Sequence, residues 1–438
     1  MILIFAGMEP VAPAQRIQSL DVVRGVALLG ILLMNVVSFS LPDPAYWDPS
    51  GHGGDTGWNL HTYFLNSLLV DGSMRAIFSM LFGAGVILFT ASIERKGDSS
   101  ASANLWYRRT IWLIIFGILH AYLLLFPGEI LFYYGIAGLF IFPARHASPR
   151  RLLLFSLFLI AILSAVRVSE YHTSKRLFEE TVAAEKALAE GIAVTPEQQT
   201  AMAKWYYKYS TYKPDSTSRE RVISAMRGGY RSAMANVVPY VRFMQTEYLY
   251  RFGFLDTLSM MLFGMALFRW GVLQGTRKIR FYLGMVAVGY GIGIPVNWIE
   301  TSTYLKSGFD LLTYFRISQS YDVGRIFTAL GHLGLILLCL KWGRLSLLKR
   351  AVGAVGRMAL SNYVMHTMVG AFIFIGLKQY GQWERYQLYY LVAGIWVFQL
   401  IVSPVWLRHF HYGPLEWVWR RLTYGRGIVK FLKQRRRN

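Results

Sequence analysis

The sequence contains one cysteine in 438 residues, Cys339, set inside an apolar run. A single thiol excludes an intrachain disulfide, a cysteine metal site and dithiol redox chemistry. Charge is sparse as well, at 16% of residues, and acidic side chains are the scarcer kind, 24 against 46 basic. No GxxxxGK[ST] loop, GxGxxG turn after a strand, HExxH or GxSxG occurs. P-loop nucleotide chemistry, the dinucleotide fold, zincin hydrolysis and the serine-hydrolase elbow are therefore not encoded in their usual form.

What is abundant is apolar: 54% of residues, with a mean hydropathy of +0.34. A chain of this length built from soluble domains would carry more charge. Apolar runs such as 25–41, 110–126 and 281–298 are each about long enough to cross a ~30 Å hydrocarbon layer as a helix. The reading predicts an all-α, polytopic integral membrane protein with ten transmembrane spans, at 24–41, 73–92, 110–126, 129–142, 152–168, 254–272, 280–299, 325–340, 357–377 and 387–407.

A net charge of +22 on a soluble protein would point to nucleic acid, but here the basic residues gather at the ends of spans. Arg95, Lys96, Arg108 and Arg109 form one group; Arg145, Arg150 and Arg151, then Arg277 and Lys278, then Lys341, Arg344, Lys349 and Arg350 form others. The Pro127-Gly128-Glu129 turn has none. This asymmetry predicts both termini in the cytoplasm, a multi-pass protein of the cell's inner membrane, and a basic tail lying on anionic lipid with no nucleic-acid partner. The first seven residues lack a signal peptide's basic leader and cleavage site, and Met8 reads as a start. Four regions follow: 1–168 with the first five spans, an extracytoplasmic helical insert over 169–253, 254–410 with the last five spans, and the tail 411–438. Within the insert, Tyr240, Phe243, Tyr248 and Tyr250 suit either the headgroup region or a surface helical cap. Ser79-Met-Leu-Phe-Gly83 and Met260-Met-Leu-Phe-Gly264 echo each other, as a parallel repeat or as two small-residue helix contacts would require.

Polar groups inside apolar spans are the candidates for function. Asp21 and Arg24 share one face of the first span, which continues through Leu28 and Ile31 to Asn35, about 16 Å from Arg24. Ser19 is placed to cap that helix. His120 lies deep in the third span, where a neutral imidazole is a competent general base or a buried hydrogen-bonding group, with Glu129 at the next helix start to orient it. Arg357, Ser361, Asn362 and His366 open the ninth span as i,i+4 pairs. Arg75 follows Asp71 and either binds an anion or pairs with that aspartate. Asp322, Arg325 and His332 in span eight are similar in kind.

The motifs RIQSLDVVRGVALLGILLMN, LFGAG, RRTIWLIIFGILHAYLLLFPGEILFYYGIAGL, GRMALSNY and GPLEWVWRRLTYGR together resemble the YeiB-type family known as domain of unknown function 418. That family is in turn similar to transmembrane acyltransferases, which share the SLDxxRG opening carried here by Ser19 to Gly25. The resemblance implies acyl-CoA as co-substrate arriving from the cytosol, with no metal, and a small-molecule, lipid-linked or glycan acceptor on the far side. It also implies membrane lipids as surroundings, and homo-oligomerisation is compatible with it. A histidine ends the first span of similar enzymes, where this chain has Asn35. That departure leaves either His120 in the base role or acyl-transfer chemistry not retained; the enzyme reading takes His120 and Glu129 as catalytic residues and Asp21, Arg24, Asn35, Arg75 and Arg357 as cofactor-binding ones, with Ser361, Asn362 and His366 toward the substrate. The same buried groups serve equally a transporter or flippase of an amphipathic or anionic molecule.

Overall fold

The computed structural model describes residues 17–95, 99–342 and 345–425. These form seventeen α-helices with short 3-10 and π segments and no β-strand. The first half runs α1 (Gln18–Ser40), α2 (Gly57–Leu69), α3 (Ser73–Glu94), α4 (Ser99–Leu123), α5 (Leu131–Ile141) and α6 (Pro149–Ala189). The middle is α7 (Pro196–Tyr212), α8 (Ser216–Arg227) and α9 (Tyr230–Phe243), followed by a π-helical stretch, Met244–Gly253. The remainder is α10 (Phe254–Arg269), α11 (Ile279–Lys306), α12 (Leu311–Ile317), α13 (Tyr321–Lys341), α14 (Ser346–Arg357), α15 (Ala359–Gly370), α16 (Leu388–His409) and α17 (Pro414–Tyr424).

Eight helical segments among the described residues are long and apolar enough to cross a membrane: 18–40, 57–94, 149–189, 230–269, 279–306, 321–341, 359–376 and 385–409. Of the ten expected spans, 110–126 and 129–142 are not among the eight. The first lies on α4. The second is α5, whose 11 residues rise only about 16 Å, half of a hydrocarbon layer. Leu154, Phe158, Ile299, Phe372 and Ile401 are each more than half exposed on the outside of the bundle, as in a protein whose outer solvent is apolar. The expected boundary at 168–169 falls inside α6, a 41-residue helix started by Ser148, whose Oγ accepts from the Arg151 N–H, and by Pro149 at its first turn. The insert is helical throughout its described elements, and α7 opens with a Thr195–Gln198 capping box. The tail beyond Gly425, Met8 and the other residues before Ile17 lie outside the described residues.

The two LFG motifs pack against each other. A β-carbon on Gly83 would fall on the Met261 carbonyl oxygen, and one on Gly264 would fall on that of Met80. The backbones of α3 and α10 approach so closely only because both positions lack a side chain. Gly83→Ala should push the two helices apart and lower the detergent-solubilised protein's melting temperature by several degrees, as overpacking of about 1–3 kcal/mol predicts. An unchanged melting curve would show that the contact yields freely.

Contacts distinguish two ends of the bundle. At one end, Ser19 Oγ donates to the Leu273 carbonyl at 2.9 Å, so it ties α1 to the loop after α10; Ile17 caps α1 and Ser19 does not. Gly356 abuts the Asp21 backbone there. At the other end, the Gly381 N–H bonds the Ser40 carbonyl and the Tyr380 hydroxyl bonds that of Leu41.

Candidate functional site

A cavity of about 530 Å³ occupies the second of these ends, within the size range of small-molecule sites. Its wall draws on the last turns of α1, the α2–α3 turn, the start of α5, the middle of α6, the π-helical stretch and the last turns of α11. The π geometry presents Met244, Glu247, Tyr248, Arg251 and Phe252 to the cavity along one stretch of backbone, and π segments often mark functional sites. Gly72 turns the chain between α2 and α3 at φ 65°, where a β-carbon would strike the Tyr321 hydroxyl.

Beside the cavity runs a buried ion-pair chain. Arg75 donates to Asp256 at 2.5 Å, Arg325 pairs with both Asp256 and Asp322 (2.7 Å to the latter), and Arg167 reaches Asp322 at 3.2 Å. Arg75 is thus held by Asp256 rather than by Asp71, whose carboxylate accepts from the Tyr46 hydroxyl at 3.2 Å. Arg251 and Lys208 both pair with Glu170. In the loop after α1, Asp43 lines the cavity, and burial pushes its carboxyl up to about 7, the response of an acid taken out of water without a neutralising cation.

The sequence candidates separate into three places. Asn35, Arg75 and Glu129 line the cavity, and the Asn35 amide nitrogen is buried without a partner. His120 stands behind Glu129: its Nδ1 is 3.5 Å from a Glu129 carboxylate oxygen and its Nε2 is 2.8 Å from the Thr367 hydroxyl. The carboxylate, not the imidazole, faces the open space. Glu129 also accepts the Leu131 and Phe132 N–H groups, which fixes it at the amino end of α5.

Asp21, Arg24 and Arg357 form the second place, at the opposite end of α1. Arg24 bonds Asp21 at 3.2 Å, and Asp21 is also the acid acting on Arg357. Arg75, expected beside Arg24, is separated from it because α3 carries it to the cavity end. Arg109 joins the second place, with its guanidinium 3.6 Å from the Trp419 ring centre and Arg24 and Arg420 near enough to repel it. The sequence left Arg109 between binding a phosphate and setting topology and favoured topology; the aromatic stack supplied by α17 was not legible locally.

Ser361, Asn362 and His366 make the third place and do not reach the cavity. The helix breaks at Met358, so Arg357 ends α14 while Ser361 lies in the first turn of α15, and the expected Arg357–Ser361 pair is divided between two helices. Ser361 instead bonds Glu416 at 2.5 Å, and Glu416 accepts the Leu360 N–H at 2.6 Å, capping α15 from α17. Asn362 bonds the Val355 carbonyl and Ser403, and His366 meets Gln399 at 2.8 Å. His332 bonds Tyr290 and the Leu69 carbonyl. Tyr240, Phe243 and Tyr248 border the cavity, Phe243 while also exposed on the surface, and Tyr250 points outward. Asp256 was missed altogether, although a lone acid opening an apolar span is a signal in itself.

The fold and the site define a helical protein with apolar helices of membrane-crossing length and, at one end of the bundle, a polar cavity beside a buried ion-pair chain. Residues 267–426 match the family described as "Protein of unknown function (DUF418)". Over 420 residues the chain is 29% identical to the uncharacterized protein YeiB of Escherichia coli (strain K12), covering 93% of this chain and 96% of that one. It is 25% identical over 438 residues to the uncharacterized protein YxaH of Bacillus subtilis (strain 168), covering 96% and 97%. The chain is thus similar to YeiB along nearly its whole length and matches the DUF418 family model over 267–426, as its motifs led one to expect. No solved structure matches it.

Proposed function

We propose that the protein is an inner-membrane acyltransferase of the cell envelope with cytoplasmic termini. It would take an acyl group from cytosolic acyl-CoA to an extracytoplasmic or lipid-linked acceptor. One observation carries the reading. The helix with the SLDxxRG motif begins among Arg24, Arg109, Arg357 and Arg420 and ends at a polar cavity lined by Asn35 and Glu129, with His120 behind Glu129. The arginine end suits phosphates, and the cavity suits an acceptor. Glu129 takes the acceptor's O–H or N–H proton, with His120 sharing it, as the new acyl bond forms and the thioester C–S bond breaks; the released thiolate is protonated by water.

With purified protein in nanodiscs, acyl-CoA should bind, and Arg24→Ala should weaken that binding tenfold or more, the ~1.5–3 kcal/mol of a charge-assisted contact. Equal affinity in the variant, or none in either protein, would sink the reading. Orientation is checked in intact cells on a Cys339→Ser background: a cysteine at Ala189 should react with an impermeant thiol reagent, and one at Ser346 should not. The reciprocal packing of the two LFG motifs favours a second reading, a transporter built from two halves. Lipid and glycan analysis of a strain lacking the protein separates the two, since an enzyme's absence removes an acylated product and a transporter's absence relocates an unchanged molecule.

A further inference from the structure

The cavity's charge is opposite to that of an anion site. Six carboxylates line it, Asp43, Asp71, Glu129, Glu170, Glu247 and Glu300, against three arginines, Arg75, Arg167 and Arg251. Every one of those arginines is already engaged, by Asp256, Asp322 and Glu170 respectively. An incoming anion would find no free guanidinium on this wall. Among the carboxylates the reverse holds. Asp71 has its tyrosine, Glu129 its backbone N–H groups and Glu170 its two cations. Asp43, Glu247 and Glu300 have no ion pair with any described residue; Glu247 is exposed, and Glu300 meets the Ser320 side chain while its Oε1 is buried with no hydrogen-bond partner. A buried carboxylate in that condition is costly unless a cation meets it.

The rest of the wall says what kind of cation. Ten tyrosines contribute to it, among them Tyr212, Tyr240, Tyr314 and Tyr321, together with Trp47 and Phe315. Aromatic rings beside carboxylates are poor metal ligands and good partners for an organic ammonium, which they hold by cation–π attraction as well as by charge. The volume admits a small organic molecule rather than a bare ion.

We infer that the cavity binds an organic ammonium compound, an amine or quaternary amine, with its cationic group held by Glu300 and Glu247 among the tyrosines. This deepens the acyl-transfer reading, on which it rests for the ligand's role as acceptor but not for its binding. The test uses the full chain in nanodiscs with two probes of like shape and opposite charge, phenyltrimethylammonium and benzenesulfonate. Intrinsic fluorescence, to which Trp47 on the wall contributes, and thermal shift read the binding. Phenyltrimethylammonium should bind saturably and raise the melting temperature, and benzenesulfonate should do neither. Glu300→Gln should weaken the ammonium probe at least tenfold; should that variant fail to fold, Glu247→Gln is read in its place, with an expected loss of severalfold. Benzenesulfonate binding as tightly, saturation by magnesium or calcium ions with no response to the organic cation, or affinity unchanged in folded variants would each overturn the inference. Acyl-CoA binding is measured on the same samples. Its failure while the ammonium probe still binds removes the acyl-transfer reading and leaves this one standing.

Discussion

Asp256→Ala should destabilise the protein by about 3–5 kcal/mol, the cost of leaving buried guanidinium groups without their counter-charge. Asp256 is the hub of the ion-pair chain: Arg75 reaches it from α3 and Arg325 from α13, while it stands on α10. Its loss takes the ion-pair partner from Arg75 and leaves Arg325, 1% exposed, with Asp322 alone. The measurement is thermal or denaturant unfolding of detergent-solubilised protein. A second substitution sharpens it. In Asp256→Ala/Arg325→Met, Arg167 keeps Asp322 and Arg75 keeps the nearby Asp71, so one acid remains for each cation. Most of the lost stability should return in the double variant, because replacing both partners of a buried pair is far cheaper than removing one. A single variant as stable as the wild type would show the chain to be hydrated and energetically slack. Failure of the double variant to recover would show that packing of the Arg325 side chain, 1% exposed, matters more than its charge.

His120→Gln and Glu129→Gln should each reduce acyl transfer by 10²–10⁴-fold, the usual contribution of a positioned general base, while acyl-CoA binding is kept. The glutamine at 120 retains a hydrogen bond toward Thr367 but cannot exchange a proton, and the one at 129 can still accept backbone N–H groups through its amide oxygen. Transfer is followed with labelled acyl-CoA and native membranes as the source of acceptor. Full activity in His120→Gln with loss in Glu129→Gln would make the carboxylate the sole base and His120 a packing residue between Phe126 and Tyr363. Full activity in both would end the acyl-transfer mechanism.

The sequence by itself determined that the chain is helical and apolar-faced, because in hydrocarbon every backbone polar group must be satisfied within its own segment, and that condition is written residue by residue. It also determined two local features, the Asp21–Arg24 pair and the glycines of the LFG motifs, since a three-residue spacing and a missing side chain are visible in the string itself. Only the tertiary structure decided which charges meet. Asp256 stands 181 residues from Arg75 and 69 from Arg325, and His120 stands 247 from Thr367. No periodicity encodes such pairings; they follow from which helix lies against which, at what height and rotation. The same is true of the break at Met358, where capping by Glu416 of α17 ends one helix and starts another inside a sequence that reads as continuous. The cavity, too, belongs to the packing. Its wall is assembled from short stretches of many helices, each of which, read alone, is only an apolar segment with one polar residue out of place.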